Sequence, residues 1–293
     1  MSRCLVTGHK GYIGSRLFEA LKNQGHEVMG IDLKEEVPKD ITKLNGLKED
    51  SDGNFHPHYF NFKPEHIFHL ACFPRVPLSI EQPVQTMENN VLSTSVVLNF
   101  ARKVGAKRVI YSSSSSIVGN GYGPESPYAL QKLVSELECG LYSKLYGLDT
   151  VALRYFNVYS KDQPADGPYA TAVANWIKYI REGKNPFITG TGGQRRDMLH
   201  VSDAVSANIF SMLYSDKFNG KVFDVGTGAN ISLNEMKEIV MAFNPDVNFD
   251  YAPPRKGDVM VTLANKSKLA RLGWFTKVSI EEGIRNCFKE VLK

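Results

Sequence analysis

A tyrosine and a lysine four residues apart, Tyr128 and Lys132, lie in the run Ser126-Pro127-Tyr128-Ala129-Leu130-Gln131-Lys132. In a helix, positions i and i+4 share a face, so a phenol and an ammonium would point into the same space. Ser126 is a good N-cap and Pro127 suits the first helical position, which puts Tyr128 in the first turn, where the helix dipole favours negative charge. A free tyrosine has a pKa of about 10, and lowering it by roughly 3 units takes on the order of 4 kcal/mol. A nearby cation and the dipole both favour the phenolate. The expectation is a tyrosine that exchanges a proton with a substrate hydroxyl near neutral pH. The same spacing also arises as a stacked pair on a helix surface, so the surrounding elements decide between the two.

The N-terminus supplies one such element. Cys4-Leu5-Val6-Thr7 reads as a buried strand running into Gly8-His9-Lys10-Gly11-Tyr12-Ile13-Gly14 and an amphipathic helix with Ile13, Leu17 and Leu21 on one face. A second strand, Val28–Ile31, ends at Asp32. Glycine lets the backbone turn tightly and approach a pyrophosphate, and the helix N-terminus offers free N–H groups to it. Asp32 would accept hydrogen bonds from adenosine ribose hydroxyls and repel a 2′-phosphate, which argues for NAD over NADP. Such a glycine triplet, taken alone, also makes a plain turn.

A third strand, Val109-Ile110-Tyr111, runs into five serines, Ser112 to Ser116, then Ile117-Val118-Gly119. A serine run can be a low-complexity turn. At a strand's C-terminal end, where open α/β sheets bind ligands, a hydroxyl could share a hydrogen bond with a substrate oxygen and Tyr128.

Together these residues resemble the extended short-chain dehydrogenase/reductases, specifically the NAD-dependent nucleotide-sugar epimerase/dehydratase family and within it the UDP-galactose 4-epimerase group. The resemblance covers nearly the whole chain. It rests also on His69-Leu70-Ala71-Cys72, Arg154-Tyr155-Phe156-Asn157-Val158-Tyr159-Ser160, Arg196-Asp197-Met198-Leu199-His200-Val201-Ser202-Asp203 and Arg255-Lys256-Gly257-Asp258. It implies Ser114, Tyr128 and Lys132 as catalytic residues. It implies a cofactor set of Gly8, Gly11, Tyr12, Ile13, Gly14, Asp32, Leu70, Ala71, Asn89, Ser112 and Tyr155 beside Tyr128 and Lys132, with Phe156 near the nicotinamide. Ser114, Asn157, Arg196, Arg255 and Asp258 would meet a nucleotide-diphosphate sugar, since guanidinium groups suit phosphates. Read without the family, Arg196 is also a partner for its neighbour Asp197, and Asn157 a turn amide.

The family's reactions differ in what surrounds Ser114. Dehydratases carry an acidic pair where this chain has Ser115 and Ser116, decarboxylases a glutamate at the second position, and 3,5-epimerising relatives a cysteine in the turn. Without those groups, redox at one carbon remains. The implied activity is C4 epimerisation of a UDP-hexose such as UDP-glucose, or of a UDP-N-acetylhexosamine, through a 4-keto sugar. A 4-keto-sugar reductase uses the same residues but consumes NAD(P)H, and a dinucleotide sensor would be expected to lack the tyrosine. Departures from the pattern are Val118 for a tyrosine, Ser160 for a glycine, Thr189 where relatives place an aromatic, and only nine residues from Gly119 to Tyr128. Thr262 matches a gatekeeper position, small enough to admit a 2-N-acetyl group.

Strand and helix signals alternate through the first 160 residues, as expected for a doubly wound parallel Rossmann-type sheet. Residues 1–160 are expected to form the NAD-binding domain, with 197–228 returning to it, and 161–196 with 229–293 a smaller mixed α/β substrate lobe. The segment 34–64 shows no clear helix, and adenine contacts there would fall on Asp40 and Ile41. A helix is expected over Asn90–Val104 and another from Ser126 to near Gly147, with Leu130, Leu133, Val134, Leu137 and Leu141 as its apolar stripe. The resemblance implies a homodimer through these two helices; packing on the sheet explains the stripe equally. Capping boxes open later helices at Ser232–Glu235 and Ser279–Glu282. The net charge of +4 on 293 residues is scattered, so nucleic acid is not implied. No apolar run approaches membrane-spanning length and the chain starts directly on a strand, so neither membrane insertion nor a signal peptide is expected. Four widely spaced cysteines and no His/Cys cluster argue for reduced thiols in a cytoplasmic protein without a metal.

Overall fold

The structure is a computed structural model that describes residues 1–32, 47–165, 171–254, 259–289 and 291–292. In chain order its elements are β1 (Arg3–Thr7), α1 (Tyr12–Asn23), β2 (Glu27–Ile31), α2 (Pro57–Phe62), β3 (His66–His69), α3 (Val76–Glu81), α4 (Pro83–Met87), a π-helical turn (Glu88–Leu92) and α5 (Ser93–Val104). There follow β4 (Arg108–Ser114), a 3-10 turn (Ser115–Val118), α6 (Pro127–Tyr146), β5 (Asp149–Tyr155), β6 (Val158–Tyr159), α7 (Ala172–Arg181), β7 (Phe187–Thr189), β8 (Arg195–Arg196), β9 (Leu199–His200) and α8 (Val201–Leu213). The chain ends with β10 (Lys221–Val225), β11 (Ile231–Ser232), α9 (Leu233–Met241), β12 (Asp250–Ala252), α10 (Ser267–Ala270) and α11 (Ile280–Lys289). Two compact units result: Met1–Ile117, Pro124–Arg154 and Val205–Phe223 form unit 1, and Val118–Gly123, Tyr155–Ala204 and Asp224–Lys293 form unit 2.

Unit 1 is built on the main sheet, six strands in the order β10-β5-β4-β3-β1-β2. β2, β1, β3 and β4 pair in parallel, in the register Val6 opposite Gly30 and Phe68, and Phe68 opposite Ile110. This is the doubly wound Rossmann-type arrangement expected. The order reverses direction between β1 and β3, the place where such sheets leave a crevice beyond their strand ends. Apolar runs in β1, β3 and β4 are buried on both faces, and Leu5, Ile67 and Val109 pack with Val97, Leu98 and Phe100 of α5. Arg108 is tied below the sheet: Nε donates to Asp149 Oδ2 at 2.6 Å and its other nitrogens to the carbonyls of Ser211, Tyr214 and Asp216. That closes the C-terminal end of α8 with a charge of the favourable sign.

Unit 2 has a separate core of Trp176, Ile188, Met198, Met236 and Phe288. Its strands form short ladders, β7 with β12, β8 with β11 and β6 with β9. Asp197 is fully buried, and its carboxylate accepts from Thr227 N, Thr227 Oγ1, Gly228 N and Ala264 N at 2.8–3.0 Å. Asp203 likewise accepts the amides of Lys277 and Val278. The capping box at Ser232 and Glu235 is complete, and the Ser279 hydroxyl accepts from Glu282 N.

Two local expectations change. The helix expected to open at Asn90 begins earlier, since α4, the π turn and α5 follow without a break from Pro83, so Asn89 sits inside the π turn rather than before a helix. Within 34–64 a short helix, α2, is present; Asp40 and Ile41 lie outside the described residues. Of the α6 stripe, for which sheet and partner were equal explanations, Leu130, Leu137 and Leu141 are 46%, 66% and 50% exposed and Leu133 and Val134 half-buried. Among the described residues no helix is long and apolar enough to cross a membrane.

Candidate active site

The glycine turn after β1 is closed by the backbone. Gly8 N donates to Ile31 O at 2.8 Å, and Gly11 N to Gly8 O at 2.9 Å. Gly8 has φ +74°, and a Cβ there would come 2.8 Å from Ala71 N, at the end of β3. A Cβ on Gly14 would stand 2.1 Å from Gly8 O. Only glycine fits either place. Helix α1 starts at Tyr12 with no side chain capping it, so the N–H groups of Tyr12, Ile13 and Gly14 face the turn as an anion cradle. At the tip of β2, Asp32 Oδ2 accepts from Lys10 N at 2.9 Å, and a carboxylate has further lone pairs for ribose hydroxyls. Leu70 and Ala71, half-buried, border the turn from β3. This cradle fits a dinucleotide.

The N-terminus of α6 is built differently. Ser126 accepts from Ala129 N at 3.2 Å, and Tyr128 N donates to Ser79 Oγ of α3 at 3.0 Å. Tyr128 and Lys132 share the buried face as the spacing requires, 8% and 2% exposed. Lys132 Nζ donates to Ser112 O at 2.7 Å and lies 4.9 Å from the Tyr111 ring centre and 5.9 Å from that of Tyr128. The Ser114 hydroxyl lies near enough to the Tyr128 phenol to favour its ionised form. Serine, tyrosine and lysine therefore meet in unit 1.

The expected acidity of Tyr128 is overturned. Burial pushes the phenol up to about 12, while Lys132 and the nearby Ser114 hydroxyl pull it down by less. Desolvation disfavours a phenolate more than one ammonium, itself bonded to a carbonyl, can offset. With the protein's own groups the resting state is a phenol, and further positive charge is needed before it accepts a proton near neutrality.

Behind the triad runs a polar network that sequence reading missed. Thr7 Oγ1 lies 2.8 Å from His69 Nδ1, and His69 Nε2 lies 3.1 Å from Thr94 Oγ1. Thr94 donates onward to Asn90 O at 2.9 Å, and its hydroxyl lies 3.2 Å from that of Ser135 on α6. Ala71 N donates to Thr7 Oγ1, so a neutral His69 with its proton on Nε2 satisfies the chain. Burial and Lys132 hold the His69 pKa down to about 3. Asn90 binds Phe73 through both ends of its amide and donates to Gln131 Oε1 at 2.8 Å, while the expected Asn89 donates to Asn90 Oδ1 at 3.1 Å. The available signal was the asparagine pair ahead of a helix whose facing positions, Gln131 and Ser135, are polar. Glu136 is also buried, holding Ser113 and Arg154.

In unit 2, Asn157 has a left-handed backbone at φ +31°. Its Nδ2 donates to Asp197 O at 2.7 Å and to Thr262 Oγ1 at 3.1 Å. Thr262 Oγ1 also accepts from Asp197 N, so this hydroxyl is committed to the framework. Arg196 is half-buried on β8, with Nη1 donating to Arg195 O at 3.0 Å. Tyr155 and Phe156 are buried, and Thr189 accepts from Gln194 Nε2. Arg255 and Asp258 lie outside the described residues.

Residues 4–226 match the family model described as NAD dependent epimerase/dehydratase family. A putative UDP-glucose 4-epimerase of Methanocaldococcus jannaschii is 30% identical over 96% of this chain and 95% of its own. A UDP-glucuronate 4-epimerase of Thermodesulfobacterium geofontis is 32% identical over 97% of this chain and 94% of its own. Among solved structures, UDP-glucose 4-epimerase of Thermotoga maritima with UDP-glucose superposes with a TM-score of 0.87 at 29% identity, covering 99% of this chain and 100% of that one. With a bare glycine cradle at the reversal of strand order and a Ser/Tyr/Lys set on β4 and α6, the chain belongs to the NAD dependent epimerase/dehydratase family.

Proposed function

We propose that the chain interconverts the C4 epimers of a nucleotide-diphosphate sugar, a UDP-hexose or a UDP-N-acetylhexosamine, through a transient 4-keto sugar. The observation that carries this reading is the buried Tyr128–Lys132 pair beside the Ser114 hydroxyl, with Lys132 held to Ser112 O, in a serine turn that holds no acid. Gly8, Gly11 and Gly14 would leave room for the diphosphate of NAD, with Tyr12 and Ile13 at the N-terminus of α1 and Asp32 toward its ribose. NAD when bound takes and returns the hydride at C4 and, oxidised, adds a positive ring charge.

Tyr128 then removes the 4-hydroxyl proton as C4 is oxidised and gives a proton back on reduction. Ser114 holds the sugar oxygen and steadies the phenol. Lys132 keeps its charge against the phenolate throughout. In unit 2, Arg196 and, from outside the described residues, Arg255 would bind the diphosphate, with Asn157 and Asp258 alongside. Asn157 would do so by shaping the turn and not by a bond to phosphate: its nitrogen is engaged by Asp197 and Thr262, and its oxygen can only accept, as from a hydroxyl.

The test is to incubate purified protein with UDP-, dTDP- and GDP-sugars and resolve the products by proton NMR. Interconversion at C4 without net consumption of reduced cofactor supports the reading. Stoichiometric NAD(P)H consumption would establish a 4-keto-sugar reductase instead. Comparing UDP-N-acetylglucosamine with UDP-glucose tests the room beside Thr262.

Two copies are proposed to pair through α6 and α4–α5. These helices pack side by side in unit 1, and each turns large apolar residues outward: Leu130, Leu137, Leu141 and Leu145 on α6, Val84 and Met87 on α4. Two adjacent apolar ridges are self-complementary about a two-fold axis. Light scattering on the purified chain tests this.

A further inference from the structure

Glu136 stands one helical turn beyond Lys132 on α6 and is 4% exposed. Its carboxylate accepts from Ser113 Oγ at 2.5 Å and from Arg154 Nε and Nη2 at 2.8 and 2.7 Å, a two-pronged ion pair. These bonds join α6, the end of β4 and the end of β5. One turn earlier, Lys132 donates to Ser112 O. Ser112 and Ser113 are thus each fastened to α6, by residues four apart on one helix face, immediately before Ser114.

Apolar residues of similar volume would hold a helix against a sheet without the several kcal/mol of lost hydration that a buried carboxylate costs. They would do so by contact alone, which tolerates sliding. Hydrogen bonds and a planar guanidinium fork are directional, so they set register along the helix axis as well as attachment. Ser114 comes from the strand and Tyr128 from the helix, so their geometry is only as good as the register between β4 and α6.

We propose that Glu136, together with Ser113 and Arg154, is a positioning device that sets the register of α6 against β4 and so the separation of Ser114 from Tyr128. It rests on the reading above, in which those two residues perform the proton transfer. Glu136 itself touches neither residue; it acts through Ser113 and through its own helix. The fork of Arg154 neutralises the carboxylate, so that the clamp adds no net negative charge near Lys132.

Three variants of the full chain, purified with cofactor, test the device. Ser113→Ala removes the strand anchor and leaves the ion pair, Glu136→Gln keeps the shape and weakens both arms, and Arg154→Lys keeps the charge without the fork. Small misplacements of reacting groups cost up to about 100-fold in rate. The expected result is a kcat lowered about tenfold or more in Ser113→Ala and Glu136→Gln, with KM held within about threefold and a smaller loss of kcat in Arg154→Lys. Hydrogen–deuterium exchange needs no substrate. It should rise over residues 110–118 and 126–136 in Ser113→Ala and remain as in the wild type elsewhere.

A wild-type kcat in Ser113→Ala would overturn the proposal, as would a fall in activity accompanied by exchange rising throughout the chain. Should Glu136→Gln not fold, Ser113→Ala decides alone. A wild-type chain that converts no nucleotide sugar would remove the C4 reading, while localised exchange would still report whether the clamp sets the register.

Discussion

Two helices of unit 1 begin at the candidate site and are built on opposite plans. Helix α1 has a bare N-terminus and an ordinary amphipathic body, burying Gly14, Leu17 and Leu21. Helix α6 has a capped N-terminus and an inverted body, burying Tyr128, Gln131, Lys132, Ser135 and Glu136 while leaving Leu130, Leu137, Leu141 and Leu145 outside. A bare end keeps N–H groups for an anion. A capped end has those groups satisfied and presents side chains instead. The inversion follows from the same division: polar groups that must be held still are buried and bonded, and the apolar residues displaced from that face become a surface.

The sharpest way to break this comparison is at the buried face of α6. Tyr128→Phe removes one oxygen and should lower kcat by about 1,000-fold or more, within the range for general acid–base catalysis, with bound NAD unchanged. Wild-type NMR rates in that variant would end the role given to α6. Next is the bare end of α1. Alanine at position 14 gains about 1 kcal/mol of helix propensity, but its Cβ would meet Gly8 O at 2.1 Å. The clash wins, and Gly14→Ala should purify with little or no bound NAD, read by absorbance after acid release.

A smaller effect probes the network behind α6 through pH. His69 is neutral in the fold with its pKa near 3, against about 6.5 unfolded. Its contribution is present above pH 6.5 and is lost as pH falls through 6.5 toward 3, because the unfolded chain takes up the proton first. His66, lowered to about 4 by burial, acts in the same direction. His69→Gln should therefore be less stable than the wild type at pH 8 and lose less on acidification, measured by urea unfolding at both pH values. The mildest change is on the outer face: Leu137→Asp should shift the chain to a monomer by light scattering with kcat changed less than about threefold, since Leu137 is 66% exposed and bonds nothing in the site.

Much of this site was legible because it is local. The φ at Gly8, the cap at Ser126 and the i, i+4 pairing of Tyr128 with Lys132 depend on a few consecutive residues, and each is present. The Asn89–Asn90 region was misread because a π turn shifts the face on which side chains emerge, and propensity does not announce one. The stripe of α6 was ambiguous because periodicity shows that a helix has two faces and not which one turns inward. His69, Ser113 and Arg154 stand in the quoted motifs but take no role from the sequence, because their partners lie far away in the chain, at Thr7, Glu136 and again Glu136.

The chain alone determined the glycine turn, the helix starts, the parallel α/β order and the family, since these follow from backbone allowance, capping and short-range spacing. Tertiary structure decided the acidity of Tyr128 and the inward face of α6. Both depend on how much water is excluded around a group, and that is a property of every element packed against it, not of its neighbours in sequence.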